Sequence, residues 1–254
     1  MRFQTDLADE RYRLVRMAVA GPGMAGTVEA FVRPEPVGAI SFAEAARLVR
    51  PDQFANRRAL IVGGSRGLGA SSAKLLAAGG ASVIVTYASG ASEAAEICRE
   101  IGGNCNAMPL DVTKPLAGQL ATIAELPTHV YYFASPRIFL QKKPEFERSV
   151  FDRFLRFYVD AFAELCAWLT DRASTPVSVL YPSSIAVMER PAGLTEYAMA
   201  KAAGEILCAD LMQLHANLVI QAPRLPRVLT DQTATVMIVE SSSPESVLLP
   251  LLRG

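Results

Sequence analysis

Apolar and polar positions follow two rhythms along this chain of 254 residues. Residues 11–20 (RYRLVRMAVA) and 27–33 (TVEAFVR) alternate with a period near two around GPGMAG. That predicts a hairpin whose loop is longer than a two-residue turn. Pro34 and Pro36 break the alternation. Ser41-Phe42-Ala43-Glu44 then forms a capping box that opens a short helix over 42–49, with Pro51 behind it. From Ala59 onward strand-like and helix-like runs take turns: an apolar run at 59–62, helix-forming residues at 67–78, Gly79-Gly80, and a second apolar run at 83–85.

The alternation continues with helices predicted over 92–101, 116–124, 151–169 and 196–214. Strands are predicted near 107–110, at HVYYFAS, at 177–181 and at 218–220. Such an order implies an α/β fold, a Rossmann-type doubly wound parallel sheet with ligands at the carboxyl ends of its strands. Residues 1–56 form an N-terminal β-hairpin and helix arm, and 57–254 a dinucleotide-binding reductase domain. The arm could equally be the tail of a larger module. Only about 30 residues follow the strand at 218–220, too few for another loop, helix and strand together. An exposed sheet edge is therefore expected, and the arm is expected to bury it or a subunit interface.

Composition narrows the partners. Lys plus Arg and Asp plus Glu each total 25, so no global field draws the chain to nucleic acid or anionic lipid. Cys98, Cys105, Cys166 and Cys208 form no Cys-x-x-Cys pair, and with two lone histidines they offer no metal-ligand spacing. Idle thiols, no metal and a cytoplasmic location are the expectations. The N-terminus is charged without a signal-like apolar core, and no segment approaches the ~20 apolar residues of a membrane span.

Candidate chemistry sits in two stretches. Gly63, Gly64, Gly67 and Gly69 fall between a predicted strand and helix, where a pyrophosphate can approach bare backbone and the helix N-terminus. Ser65, Arg66 and Leu68 complete that loop. Tyr197 and Lys201 stand one helical turn apart, and an ammonium beside a phenol favours phenolate and lowers its pKa. Ser184, just after the strand at 177–181, can hydrogen-bond a substrate oxygen as charge develops on it.

With Gly63-x-x-x-Gly67-x-Gly69, Asp111-Val112, Ser184, Tyr197 and Lys201 in this order, residues 57–250 resemble the short-chain dehydrogenase/reductase superfamily. The resemblance implies that Tyr197 passes the proton, that Lys201 also holds the nicotinamide ribose and that Ser184 orients the carbonyl or alcohol. It implies Asp111 and Val112 at the adenine and Ala134 beside the cofactor. Departures are visible as well. Tyr132-Phe133-Ala134-Ser135 replaces the family's Asn-Asn-Ala-Gly, Tyr158 stands at its helix asparagine, and Pro223-Arg224 replaces its Pro-Gly. VYYFAS, YPSSIAV and KAAGE are similar to the extended, sugar-nucleotide-modifying branch, although the glycine motif is of the short reductase type.

Cofactor choice rests on Thr86, Tyr87, Ala88 and Ser89, where no carboxylate opposes a 2′-phosphate, and on Arg66, which could pair with it. NADP(H) is preferred, with NAD(H) possible. Phe151, Phe154, Tyr158 and Phe162 share a helix face suited to packing or a dimer interface. Phe133, Phe139 and the loop to Phe146 lie nearer a substrate. Arg224 and Arg227 either clamp an anionic substrate group or close surface salt bridges. The expected activity is NADP-dependent reduction of a carbonyl, on a ketone or a carrier-bound 3-oxoacyl chain, by a homodimer or homotetramer. The alternatives are an epimerase or dehydratase that retains its nicotinamide, and a non-catalytic dinucleotide-binding module.

Overall fold

A computed structural model describes residues 1–32, 37–138, 145–233 and 239–254. Its first elements are three strands, β1 (Arg2–Asp9), β2 (Leu14–Gly21) and β3 (Met24–Phe31), paired as an antiparallel meander. The predicted hairpin is therefore β2–β3, and the charged N-terminus adds a third strand. Gly21 pairs with Met24, so only Pro22 and Gly23 form the turn, and Gly23 takes φ +75°. The loop is shorter than the sequence suggests because MAG continues the ladder as Met24, Ala25 and Gly26. Pro34 and Pro36 lie outside the described residues. Helix α1 (Phe42–Leu48) opens on the expected box, with Ser41 and Glu44 capping each other.

The second layer system begins with β4 (Arg58–Val62), α2 (Gly67–Ala78), β5 (Ser82–Tyr87), α3 (Ala91–Ile101) and β6 (Cys105–Pro109). A short α4 (Ala117–Leu120) and β7 (His129–Tyr132) follow. The predicted long aromatic helix is three pieces: α5 (Arg148–Leu155), a π-helical turn at Arg156–Asp160, and α6 (Ala161–Thr170). The chain continues through β8 (Val177–Leu180), β9 (Ser183–Ser184), α7 (Ala186–Glu189), α8 (Thr195–Leu214), β10 (Leu218–Gln221), β11 (Arg224–Leu225) and α9 (Pro244–Arg253). The apolar stretch at the C-terminus is thus a helix, capped by Ser243 and anchored through buried Leu248 and Leu252.

Six strands form one parallel sheet in the order β10-β8-β7-β4-β5-β6. The doubly wound fold is the one expected. The side-chain period of two sends neighbouring residues to opposite cores. Leu60 and Val62 pack with Tyr158, Phe162 and Leu165, whereas Ile61, Val83 and Val85 pack with α1, α2 and α9. The order in which the chain adds strands reverses between β4 and β7, which opens a crevice at their carboxyl ends. Strands β10 and β6 are the two edges of this sheet, and Val219 on β10 is half exposed.

The thiols need a correction. Cys98 and Cys105 are joined as a disulfide, with Cα atoms 4.9 Å apart. Gly102, at φ +89°, ends α3 and turns the chain back so that the two residues meet, a proximity their spacing does not announce. Cys166 and Cys208 are buried free thiols. Among the described residues no helix is long and apolar enough to cross a membrane, and no acidic, histidine or cysteine group is placed to hold a metal.

The arm divides into unequal parts. No residue of β1, β2 or β3 is fully buried, and none of these strands joins the six-stranded sheet, so β10 stays uncovered by them. By contrast α1 contributes Ala45 to the core, Val49 and Phe54 follow it there, and Glu100 binds both the Phe42 amide and buried Lys74. Removing residues 1–36 should leave the monomer's melting temperature within about 2–4 °C of the parent. Removing residues 1–52 should cost more than about 2 kcal/mol, because it strips buried side chains from α2. Calorimetry on both truncations checks this, and equal melting temperatures would refute the division.

Candidate active site

The glycine loop is built by close approaches. Gly63 has φ +79°, and a Cβ there would sit 2.8 Å from the Ala134 backbone. A Cβ on Gly69 would overlap the Gly63 carbonyl. The Gly63 amide donates to Thr86 Oγ1 at 3.1 Å and the Gly64 amide to the Thr86 carbonyl at 2.8 Å, fixing the turn to β5. Helix α2 then starts without a side-chain cap and with no acid in its first turn. Its first N–H groups can therefore serve an anion, as a dinucleotide pyrophosphate requires. These residues fit such a cofactor. Thr230, which the sequence reading passed over, lies 3.9 Å from a Cβ placed on Gly67, so the segment after β11 reaches the loop.

The rest of the predicted cofactor set is placed with differing support. Ser65 lies against Gly90, where a Cβ would come within 2.7 Å of its hydroxyl. Leu68 is half-buried against the α2-side core, and Tyr87 and Ser89 stand at the end of β5. Arg66 sits 3.7 Å from Glu93, both groups about half exposed, which makes a weak pair. A carboxylate does stand near this end of β5, then, on α3 rather than on the residues directly after the strand. Asp111 accepts from the Thr113 amide at 3.0 Å and hydroxyl at 2.6 Å, which holds its carboxyl below the usual range. Val112 is buried.

At the ends of β7 and β8 the structure brings Ser184, Tyr197 and Lys201 together. Ser184 accepts from the Ala186 amide at 3.2 Å, and its hydroxyl lies close enough to the Tyr197 phenol to act on its pKa. Lys201 is 7% exposed and donates to the Pro182 carbonyl at 2.6 Å. Burial raises the Tyr197 pKa, with the Ser184 hydrogen bond acting the other way. The direction is opposite to the lowering expected from Lys201: desolvation of the buried phenolate is the largest effect on it. Burial likewise pushes Lys201 down to about 7, against weaker upward pulls from Cys208 and Glu205.

Aromatic rings close this site. Phe154 stacks on Tyr158 at 5.8 Å, and both meet Tyr197 edge-on, at 5.6 and 5.8 Å. The shared helix face is therefore packing within the chain that also forms a wall of the site. The Glu147 amide donates to Glu196 at 2.6 Å, tying the start of α5 to the residue before Tyr197. Phe146 packs 5.8 Å from Phe151 and is half exposed, whereas Phe139 lies outside the described residues. Arg224 grips Glu205 through two bonds of 2.8 and 2.6 Å, and Ser183 donates to the same carboxylate, so Arg224 serves an internal ion pair. Arg227 donates to the Thr233 carbonyl.

The lowered pKa of Lys201 has a consequence for stability. Between about 7 and its ordinary 10.5 the unfolded chain binds more protons at this lysine than the folded one. Stability contributed here therefore rises with pH across that window. Lys201→Met should flatten the rise and melt no lower than the parent at neutral pH, since it removes a buried charge. Thermal melts across about pH 6 to 10 check the slope. An unchanged slope would mean the ammonium is not desolvated.

Known proteins give three comparisons. Residues 57–129 match the family model described as short chain dehydrogenase. No curated protein matches the sequence. Among solved structures, a short chain dehydrogenase of Salmonella enterica serovar Typhi is 22% identical with TM-score 0.67, over 80% of this chain and 91% of that one. An Escherichia coli CFT073 protein complexed with NADPH is 21% identical, TM-score 0.65, over 80% and 92%. An alternative dihydrofolate reductase of Brucella suis in complex with NADP is 19% identical, TM-score 0.63, over 69% and 74%. The resemblance to the short-chain dehydrogenase/reductase superfamily thus stands on sequence over residues 57–129, and the solved structures add a likeness of fold.

Proposed function

We propose that this chain, of short-chain dehydrogenase type in its glycine loop and fold, is an NADP-dependent reductase of carbonyl compounds. The observation that carries the reading is the buried Tyr197 phenol, near the Ser184 hydroxyl and one helical turn from a Lys201 held by the Pro182 carbonyl. A phenol whose pKa is raised stays protonated near neutrality and serves better as a donor than as a base. The nicotinamide would supply the hydride.

Within that reading Ser184 orients the substrate oxygen, Tyr197 gives it a proton, and Lys201 stabilises the phenolate left behind. The glycine loop, Ala134 and the open N-terminus of α2 hold the dinucleotide. Aromatic rings at Phe154 and Phe146 suit an apolar ketone or acyl thioester, and Arg224, being engaged by Glu205, is not offered to an anionic carrier. A cytoplasmic homodimer or homotetramer is part of the proposal, as is the absence of nucleic-acid and membrane partners.

Oxidation of NADPH should be followed against ketones and acyl thioesters. Tyr197→Phe should lower turnover by about 10²–10⁴-fold with cofactor affinity little changed. Near-normal turnover in this variant would sink the mechanism, and cofactor binding without turnover on any substrate would make the chain a binding module.

Arg66 provides a separate check on the cofactor. To read a 2′-phosphate it must exchange the Glu93 carboxylate for the phosphate. Arg66→Ala should weaken NADPH by roughly 1.5–3 kcal/mol and NADH far less, measured by calorimetric titration. Equal losses for the two would exclude Arg66 from that role.

A further inference from the structure

We infer that Tyr158 and Tyr181 are positioning residues for Lys201, an aromatic box that keeps its ammonium charged and aimed beside Tyr197. The inference rests on the proposed reductase chemistry for its meaning, while its test does not need turnover. The Lys201 ammonium lies 3.8 Å from the centre of the Tyr158 ring and 4.9 Å from that of Tyr181. A third side is closed by the Pro182 carbonyl, at 2.6 Å. A cation over a ring face is attracted by the ring's quadrupole, more strongly when both are desolvated. Here both rings and the lysine are buried.

Both rings are fixed at their hydroxyl ends. Tyr158 shares a 2.6 Å hydrogen bond with Ser135, which follows the end of β7. Tyr181 donates to the Tyr158 carbonyl at 2.9 Å. Tyr158 lies in the π-helical turn, where the i→i+4 pattern of α5 is interrupted. The Tyr181 hydroxyl occupies the space beside Gly204, where any Cβ would overlap it. Four separate residues, Ser135, Tyr158, Tyr181 and Gly204, are thus fitted to one another around the lysine.

Other groups facing Lys201 do not replace the rings. Glu205 and Cys208, on the lysine's own helix, pull its pKa upward, but the Glu205 carboxylate is already held by Arg224 and Ser183. Cys208 is itself pushed up to about 12 by burial and so stays neutral. Tyr197, across from the Tyr158 edge, is held in its neutral form by its raised pKa. The ring faces remain as the permanent, uncharged counterpart of the ammonium, alongside the Pro182 carbonyl.

The test is a titration of the full-length protein carrying [¹³Cε]lysine. The chain's lysines are Lys74, Lys114, Lys142, Lys143 and Lys201, and Lys201→Met identifies the signal. Tyr158→Leu should lower the Lys201 pKa by about 0.4–1.5 units, the equivalent of a cation–π contact. Tyr158→Phe keeps the ring and should restore the parental value although it loses the bond to Ser135. Should Tyr158→Leu fail to fold, Tyr181→Leu against Tyr181→Phe makes the same comparison. No shift in the leucine variants, or equal shifts in leucine and phenylalanine variants, would overturn the box. If the pKa pattern holds yet no variant or parent turns over any carbonyl, the reductase reading fails and the box stands.

Discussion

There is no room for a side chain between Gly63, Gly69 and Ala134, and the site follows from that constraint. Gly63 meets the Ala134 backbone across the tips of β4 and β7, while Gly69 meets the Gly63 carbonyl across the base of α2. One bare turn thereby fixes the ends of two neighbouring strands and the start of one helix. A methyl group at either glycine would have to move backbone, which is costly in a close-packed interior. The same closeness leaves the first amides of α2 facing the crevice with no side chain competing for them.

On the other side of the crevice the controlling effect is desolvation. Tyr197 and Lys201 share a helix face, and at the level of sequence their charges should assist each other. Burial acts on both in the direction that removes charge, so the resting pair is a neutral phenol and an ammonium near its limit. On the proposed reductase reading such a pair would donate a proton, and the phenolate it leaves would restore the attraction that the resting state lacks. The electrostatic gain then falls on the reacting state rather than the ground state, which is where it accelerates a reaction.

The legible parts of the sequence were those set by local periodicity. Runs such as 59–62 and 83–85, the helix of 67–78 and the box at Ser41 depend on near neighbours, and they stand where their patterns put them. Contacts between distant segments were not legible. The strand Arg2–Asp9 is polar on much of its length and becomes a strand only because β2 offers it a partner. The meeting of Cys98 with Cys105 depends on a turn at Gly102, and the Arg224–Glu205 pair on α8 lying beside β11. Tyr158 showed as a departure, yet its role beside Lys201 needed the π-helical turn, which no simple spacing rule reveals. The Ser243-Pro244-Glu245 start of α9 is a cap that near neighbours alone specify.

The fit of Tyr181 against Gly204 also ties what each position can accept to the other. With a hydroxyl in place no residue bearing a Cβ can occupy 204, whereas glycine at 204 tolerates a smaller residue at 181 with only a gap. The two positions are therefore coupled asymmetrically: a larger residue at 204 must be matched by a smaller one at 181, whereas a smaller residue at 181 asks nothing of 204.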